Sequence, residues 1–150
     1  MVLAVSIVPP WFAERAQQRG IELAAGDPAG AVREFERAAD WNPLTPVPYK
    51  AAAIVEIRRR DYRAATRDLQ RALERDPGDS SPYLFLGAIA SAEGRKQEAL
   101  RLVGKANQLA PRDHEVAGHA LYDLRHYGKV TPQTVDKYSQ ADLRDRAGRD

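Results

Sequence analysis

The chain has 150 residues, of which 43% are hydrophobic and 29% are charged, a composition close to the average of globular proteins that excludes an intrinsically disordered chain. Its 23 basic and 21 acidic residues leave a net charge of only +2, which does not indicate nucleic-acid binding. Because the chain contains no cysteine, disulfides, thiolate metal sites and cysteine nucleophiles are excluded.

The first predicted element is the apolar segment 1–11, which is too short to cross a membrane, since crossing requires about 20 residues. It also lacks the basic residues that precede the apolar part of a signal peptide. Pro9, Pro10 and Trp11 follow the apolar run in the order expected at the end of a membrane helix. Two interpretations stay open: a hydrophobic start of the domain, or the end of a membrane helix that would tether a bacterial, extracytoplasmic domain.

A period of 34 residues organises the rest of the chain, because Pro43, Pro77 and Pro111 recur at this interval. Further columns with the same spacing hold small or apolar residues, namely Ala31, Ala65 and Ala99; Ala38, Ala72 and Ala106; and Phe35, Leu69 and Val103. Self-similarity at such a period is typical of helical repeat arrays, in which each helical hairpin is covered by its neighbours. The alanines seven residues apart predict one buried face on each second helix.

Start and stop signals predict eight helices within this period. The signals are N-cap residues followed by proline, at Asp27-Pro28, Thr45-Pro46, Ser81-Pro82 and Thr131-Pro132, together with the N-cap residues Asp61 and Asp113. The predicted helices span residues 10–25, 28–40, 46–59, 62–75, 82–93, 96–109, 113–127 and 132–146. We expect the last of them, with Val135 on its apolar side, to cap the array.

These columns resemble the tetratricopeptide repeat (TPR), whose pattern is matched best by Tyr83, Leu86, Gly87, Gly94, Ala99, Ala106 and Pro111. The resemblance implies an all-α fold, a right-handed superhelical solenoid of antiparallel helix pairs. About three and a half repeats plus a C-terminal capping helix would occupy residues 12–146, followed by a flexible tail at 147–150. Arg15 and Arg19 depart from the pattern, so the first repeat is either a degenerate cap or begins at a slightly different position.

The resemblance also implies a concave groove, lined by first helices, that takes extended or helical peptides. Carried over column by column, the groove residues are Leu23, Ala24, Val47, Lys50, Ile54, Ile57, Arg58, Leu84, Ala88, Ser91 and Tyr122. Such a groove is mainly apolar with a basic rim, although Ile54, Ile57 and Leu84 have an alternative role as contacts to the N-terminal segment or to a second copy. Repeats of this family that clamp chaperone carboxylate termini use asparagine and lysine where this chain has Ala16, Gly20, Ala51, Ser81 and Phe85.

No catalytic residue, metal site or cofactor is predicted. His114, His119 and His126 are five and seven residues apart, whereas two ligands on one helix face are four apart. The basic run at residues 58–60 is interpreted as a solvated helix end, because cations are favourable at a helix C-terminus; an anionic partner is the alternative.

Together these features favour a non-enzymatic protein-interaction or scaffold module that binds a protein or peptide segment. An alternative is the extracytoplasmic TPR domain of a polytopic membrane O-antigen ligase or polymerase-like glycosyltransferase. The chain resembles such proteins in segment 1–11 and in the spacer at residues 42–46. Self-assembly through the open ends of the array is a third hypothesis, so the oligomeric state stays open.

Overall fold

The computed structural model describes residues 10–109 and 114–137. Within these ranges the helices are α1 (Pro10–Leu23), α2 (Pro28–Trp41), α3 (Val47–Arg58), α4 (Tyr62–Arg75), α5 (Ser80–Ala92), α6 (Lys96–Leu109) and α7 (His114–His126). An eighth helix, α8, begins at residue 132 and is described as far as residue 137. The described ranges contain no strand, and the predicted all-helical solenoid is confirmed.

Capping side chains fix several helix starts as predicted. The carboxylates of Asp27 and Asp61 each accept a hydrogen bond from the backbone N–H three residues later, at 2.8 and 3.1 Å. Thr131 Oγ1 accepts the equivalent bond at the start of α8, at 3.2 Å. Each of these bonds satisfies an N–H group that has no partner within its helix. The predicted cap at Asp113 lies outside the described residues.

Two of the predicted caps are corrected. The N-cap residue of α3 is Pro46 and not Thr45, although the Thr45 hydroxyl accepts a hydrogen bond from the Val47 N–H at 3.4 Å. Helix α5 starts two residues earlier than predicted because Asp79, not Ser81, is its N-cap: Asp79 Oδ1 accepts a hydrogen bond from the Ser81 N–H at 2.9 Å. Asp and Ser are similarly good N-cap residues, so the sequence pattern alone does not separate these two starts.

The small-residue columns lie between the helices, as the period predicts. Ala31, Ala65 and Ala99 are fully buried, as are the alanines seven positions later in α2, α4 and α6. The third column, Phe35, Leu69 and Val103, is buried as well. Because alanine keeps the helix axes close, the bulkier third column can fill the space between one repeat and the next.

A glycine on the first helix makes the closest approach within a repeat. A Cβ added at Gly87 of α5 would lie 2.6 Å from Val103 Cγ2 and 3.1 Å from the Val103 backbone nitrogen on α6. In the first repeat, a Cβ at Gly20 would lie 2.5 Å from the Phe35 ring. Phe35 and Val103 occupy the same position of the 34-residue repeat. Counting back two periods from Gly87 gives residue 19, which is one position before Gly20. In the first repeat the small-residue position on the first helix is therefore shifted by one residue.

We predict that Gly87→Ala lowers the free energy of unfolding by about 1–3 kcal/mol, because α6 must move away to admit the methyl group. The matched control is Gly104→Ala in α6, where an added Cβ meets no atom within 4 Å. At that exposed-side position alanine should stabilise the helix by up to about 1 kcal/mol. Urea denaturation followed by circular dichroism measures both changes, and equal effects of the two substitutions would contradict the close approach at Gly87.

In the part of the chain that the structure describes, no helix is both long enough and apolar enough to cross a membrane. The predicted apolar segment lies almost wholly outside that part, since description starts at residue 10.

Candidate functional site: the inner face of the first helices

Helices α3 and α5 differ from the second helices because they are apolar on nearly every side. Helix α5 buries eight of its thirteen residues, and α3 buries six of twelve. Their partners α4 and α6 each bury a single stripe and carry charged residues on the opposite face. A helix that is apolar all round must be covered on more than one side. Helix α3 packs on α2 and α4, and α5 packs on α4, α6 and α7; the remaining side of α3 and α5 is what we call the inner face.

The structure places the eleven predicted groove residues in two groups. Leu23, Ala24, Val47, Lys50, Ile54, Arg58 and Tyr122 are exposed or partly exposed, whereas Ile57, Leu84, Ala88 and Ser91 are buried. Val47 and Tyr122, at the two ends of the row, are 40% and 52% exposed. Of the eleven predicted groove residues, four are therefore enclosed and seven are at least partly accessible.

The chain's own segment 130–137, which we call the C-terminal strap, lies against two of the enclosed residues, Ser91 and Ile57. Val130 and Val135 are almost completely buried, in the same apolar cluster as Ile57, Leu84 and Ala88. The backbone N–H of residue 130 donates a hydrogen bond to Ser91 Oγ at 3.0 Å. Helix α8 therefore covers apolar surface as a capping helix does, but this surface includes the inner side of α3 and α5.

Polar side chains fix the strap at the end of α3. Gln133 Nε2 donates to the Ile57 carbonyl oxygen at 3.2 Å and lies 3.1 Å from Tyr62 Oη. The Arg58 guanidinium holds the Asp136 carboxylate through Nε and Nη2, both at 3.2 Å. A bidentate pair of this kind is directional as well as attractive, so it fixes the orientation of the strap. Two strap residues three positions apart, Gln133 and Asp136, thus bind polar groups of α3 and α4.

The two basic residues of the predicted rim, Lys50 and Arg58, each form an ion pair with a carboxylate. Lys50 Nζ lies 2.5 Å from a carboxylate oxygen of Asp79, the residue that caps α5. Arg58 is paired with Asp136 of the strap. Of the two, Arg58 has the more exposed side chain, at 51% against 28% for Lys50. Arg58 is therefore the cation that an incoming acidic group reaches more easily.

An aromatic group stands at the α7 end of the row. The Tyr122 ring stacks on His126 with 3.9 Å between ring centroids and meets Tyr127 edge-on at 6.2 Å. His119 is also exposed, while the side chain of His114 lies outside the described residues. Across 10–109 and 114–137 no three His, Asp or Glu side chains come together in a way that could hold a metal ion.

Two surface clefts lie elsewhere. One, of about 220 Å³, is lined by residues of α1 and α2, and another, of about 330 Å³, by residues of α4, α5 and α6 and of the turn before α6. None of the eleven predicted groove residues lines either cleft.

A pair of acidic residues is buried between α3 and α4, and the sequence analysis missed it. Glu56 is only 4% exposed, and within the described residues its Oε2 has no hydrogen-bond partner. Burial, reinforced by the nearby Asp68 carboxylate, raises the pKa of Glu56 to about 7. Burial also raises the pKa of Asp68, against the opposing effect of Arg71, whose Nη1 lies 3.3 Å from its Oδ1. The available signal was a charged residue between Val55 and Ile57, inside an apolar run.

Comparison with known proteins agrees with this architecture. Residues 56–121 match the sequence model of the family described as tetratricopeptide repeat. Among solved structures, the "First TPR of Spaghetti (RPAP3) bound to HSP90 peptide SRMEEVD" superposes with a TM-score of 0.71 at 20% identity, covering 81% of this chain and 97% of that one. The Arabidopsis OM64 TPR domain gives 0.71 at 22% identity, covering 79% and 98%.

MamA from Desulfovibrio magneticus RS-1 gives a TM-score of 0.61 at 21% identity, covering 92% of this chain and 77% of that one. At these identities the likeness shows the fold, a TPR solenoid. No curated protein matches the chain by sequence.

We predict that Glu56→Gln raises the free energy of unfolding near pH 8 and changes it little near pH 4.5. A carboxyl with a raised pKa binds more protons in the folded state than in the unfolded state, so its contribution to stability falls as pH rises from 4.5 to about 7. Removing the charge should restore about 2 kcal/mol at the alkaline end, the order of magnitude of such a shift.

Urea denaturation at both pH values measures this difference. The matched control is Glu14→Gln at an exposed position of α1, which should leave the pH dependence unchanged. A pH profile of Glu56→Gln parallel to that of the unmodified chain would contradict the assignment.

Proposed function

We propose that this chain is a non-enzymatic protein-interaction module that binds a segment of a partner protein along the inner face of its first helices. The observation that carries the proposal is that α3 and α5 are apolar on nearly every side, including the inner face that their packing on α2, α4, α6 and α7 leaves over. In the structure a chain segment, the strap, lies on that surface. The surface is thus compatible in shape and chemistry with a bound peptide.

The structural comparisons support the class of function. One of the similar structures is described as bound to an HSP90 peptide, SRMEEVD. Counted by the 34-residue period, the positions that clamp a terminal carboxylate in chaperone-binding members of this family hold Ala16, Gly20, Ala51, Ser81 and Phe85; the one-residue shift at Gly20 moves the first two to Gln17 and Ile21. None of these side chains carries a positive charge. We therefore propose an internal, mainly apolar segment as the ligand, and not a free carboxyl terminus.

The open ends of the inner face define the first contacts. Leu23, Ala24 and Val47 form an apolar end, and Tyr122 gives an aromatic surface at the other. Lys50 and Arg58 lie between the two and would favour acidic residues beside the apolar ones. A partner segment with apolar anchors and acidic flanks fits both features.

The test is selection of a phage-displayed library of random 12-residue peptides on the immobilised chain, followed by titration of the synthetic peptides. Val47→Asp and Tyr122→Ser should each weaken binding by about tenfold or more, because each removes an exposed apolar anchor, and tenfold corresponds to about 1.4 kcal/mol.

Leu44→Ser is the matched control, since Leu44 is 85% exposed but lies in the loop before α3 and not on the inner face. Its affinity should equal that of the unmodified chain. Selected peptides that bind all three variants alike would refute the proposal.

The membrane-enzyme alternative stays a prediction. It depends on segment 1–11, most of which lies outside the described residues. The coding sequence upstream of residue 1 tests it directly: it requires several preceding hydrophobic spans, and their absence there would eliminate it.

A further inference from the structure

The strap occupies the part of the inner face where the proposed partner would bind. It buries two valines five residues apart and places an amide and a carboxylate on polar groups of α3 and α4. The strap bonds directly to three of the predicted groove residues, through the Ile57 carbonyl, the Arg58 guanidinium and the Ser91 hydroxyl. A partner segment reaches them only if the strap leaves.

The contacts of the strap resemble those of a bound ligand more than those of a repeat. A repeat helix in this array packs through columns of alanine and glycine that allow close helix approach. The strap instead uses three buried side chains, those of Val130, Pro132 and Val135, a bidentate ion pair and hydrogen bonds to side chains and to the end of a helix. This is the arrangement by which grooves recognise short segments, with a few anchors and flanking polar contacts.

The receiving groups also lie on separate helices that are already fixed by the array. The Ser91 hydroxyl belongs to α5, the Ile57 carbonyl and the Arg58 guanidinium to α3, and Tyr62 to α4. Helices α3 and α4 pack on each other, and α4 packs on α5, through the buried columns. The site is therefore built without the strap, as a recognition site must be.

From this geometry we propose that the C-terminal strap is an internal ligand that competes with the partner, and that the partner segment carries the same chemistry. This inference rests on the proposed function and specifies it. The partner segment has two aliphatic side chains five residues apart, a side-chain amide between them, and a carboxylate directly after the second aliphatic residue. The carboxylate binds Arg58, and the aliphatic pair replaces Val130 and Val135.

The experiment uses the full chain with a strap that is released by substitution. Val135→Asp places a charge at a fully buried position and should free the strap, because an unpaired charge is unfavourable in an apolar site. Lys137→Asp places the same carboxylate at an exposed position of the strap and is the matched control. The probe is a fluorescent peptide with the sequence of residues 129–137, titrated by anisotropy.

The peptide should bind Val135→Asp at least about tenfold more tightly than it binds the unmodified chain or Lys137→Asp, because in these the tethered strap competes at a high effective concentration. Adding Arg58→Glu to Val135→Asp should abolish this increase in peptide affinity, because the carboxylate of the peptide then loses its partner. A peptide with lysine at the position of Asp136 should restore binding to that double variant, because the charges of the pair are then exchanged.

Equal peptide affinity for the unmodified chain and Val135→Asp, or binding indifferent to the charge exchange, would overturn the inference. If Val135→Asp does not fold, as judged by circular dichroism, hydrogen exchange of the unmodified chain decides. The N–H of Val135, bonded to the Thr131 carbonyl, should then exchange at least about tenfold faster than that of Ala65 in α4. Equal protection would show that the strap is a permanent part of the core.

The partner chemistry is tested separately by repeating the peptide selection on Val135→Asp. Peptides with the aliphatic pair followed by an acid should be enriched relative to selection on the unmodified chain. Selection of specific peptides that lack this pattern would refute the strap as a guide to the partner while leaving the proposed function intact. Failure of both selections would refute both.

Discussion

The fold depends on the close approach of paired helices at small residues. Ala65 and Ala72 on α4 are fully buried, and on α5 the absence of a side chain at Gly87 lets α6 come within contact of the helix backbone. Because each pair is narrow, the next pair can stack on it every 34 residues and keep the same contacts. Larger residues at these positions would separate the helices and expose Leu69 and its counterparts to water.

The same packing explains why the inner face needs a cover. The second helices α4 and α6 bury one apolar stripe and carry charged residues on the opposite face, so neighbouring helices cover all their apolar surface. The first helix α3 packs on α2 and α4, and α5 packs on α4, α6 and α7, but both are apolar on their inner face as well. A solenoid built from apolar first helices leaves this apolar surface uncovered by the repeats themselves. A chain segment is the simplest group that can cover it along its length. In this chain residues 130–137 supply it.

The sequence predicts the array well because its signals are local and repeated. Ala65, Leu69 and Ala72 were predicted to be buried from periodicity alone, and they are. The strap was not predictable in the same way: Gln133 lies 76 residues from Ile57 along the chain, and such contacts leave no periodic trace. The shift of the first repeat was equally hidden, because only the contact between Gly20 and Phe35 shows which glycine takes the place of Gly87.

For the strap, the free energy gained from burial and hydrogen bonds is close to the conformational entropy lost when it is ordered, and this sets it apart from the core. Burying Val130 and Val135 contributes about 3–6 kcal/mol, and its hydrogen bonds, including the Asp136 pair, add roughly 1 kcal/mol each. Ordering its eight described residues opposes this by about 8 kcal/mol or more. The two sums are of similar size, whereas Leu69 and the alanine columns lie within helices that pack on their neighbours along most of their length. Stability is therefore concentrated in the alanine columns, and the inner face is the part of the molecule that can exchange one covering segment for another.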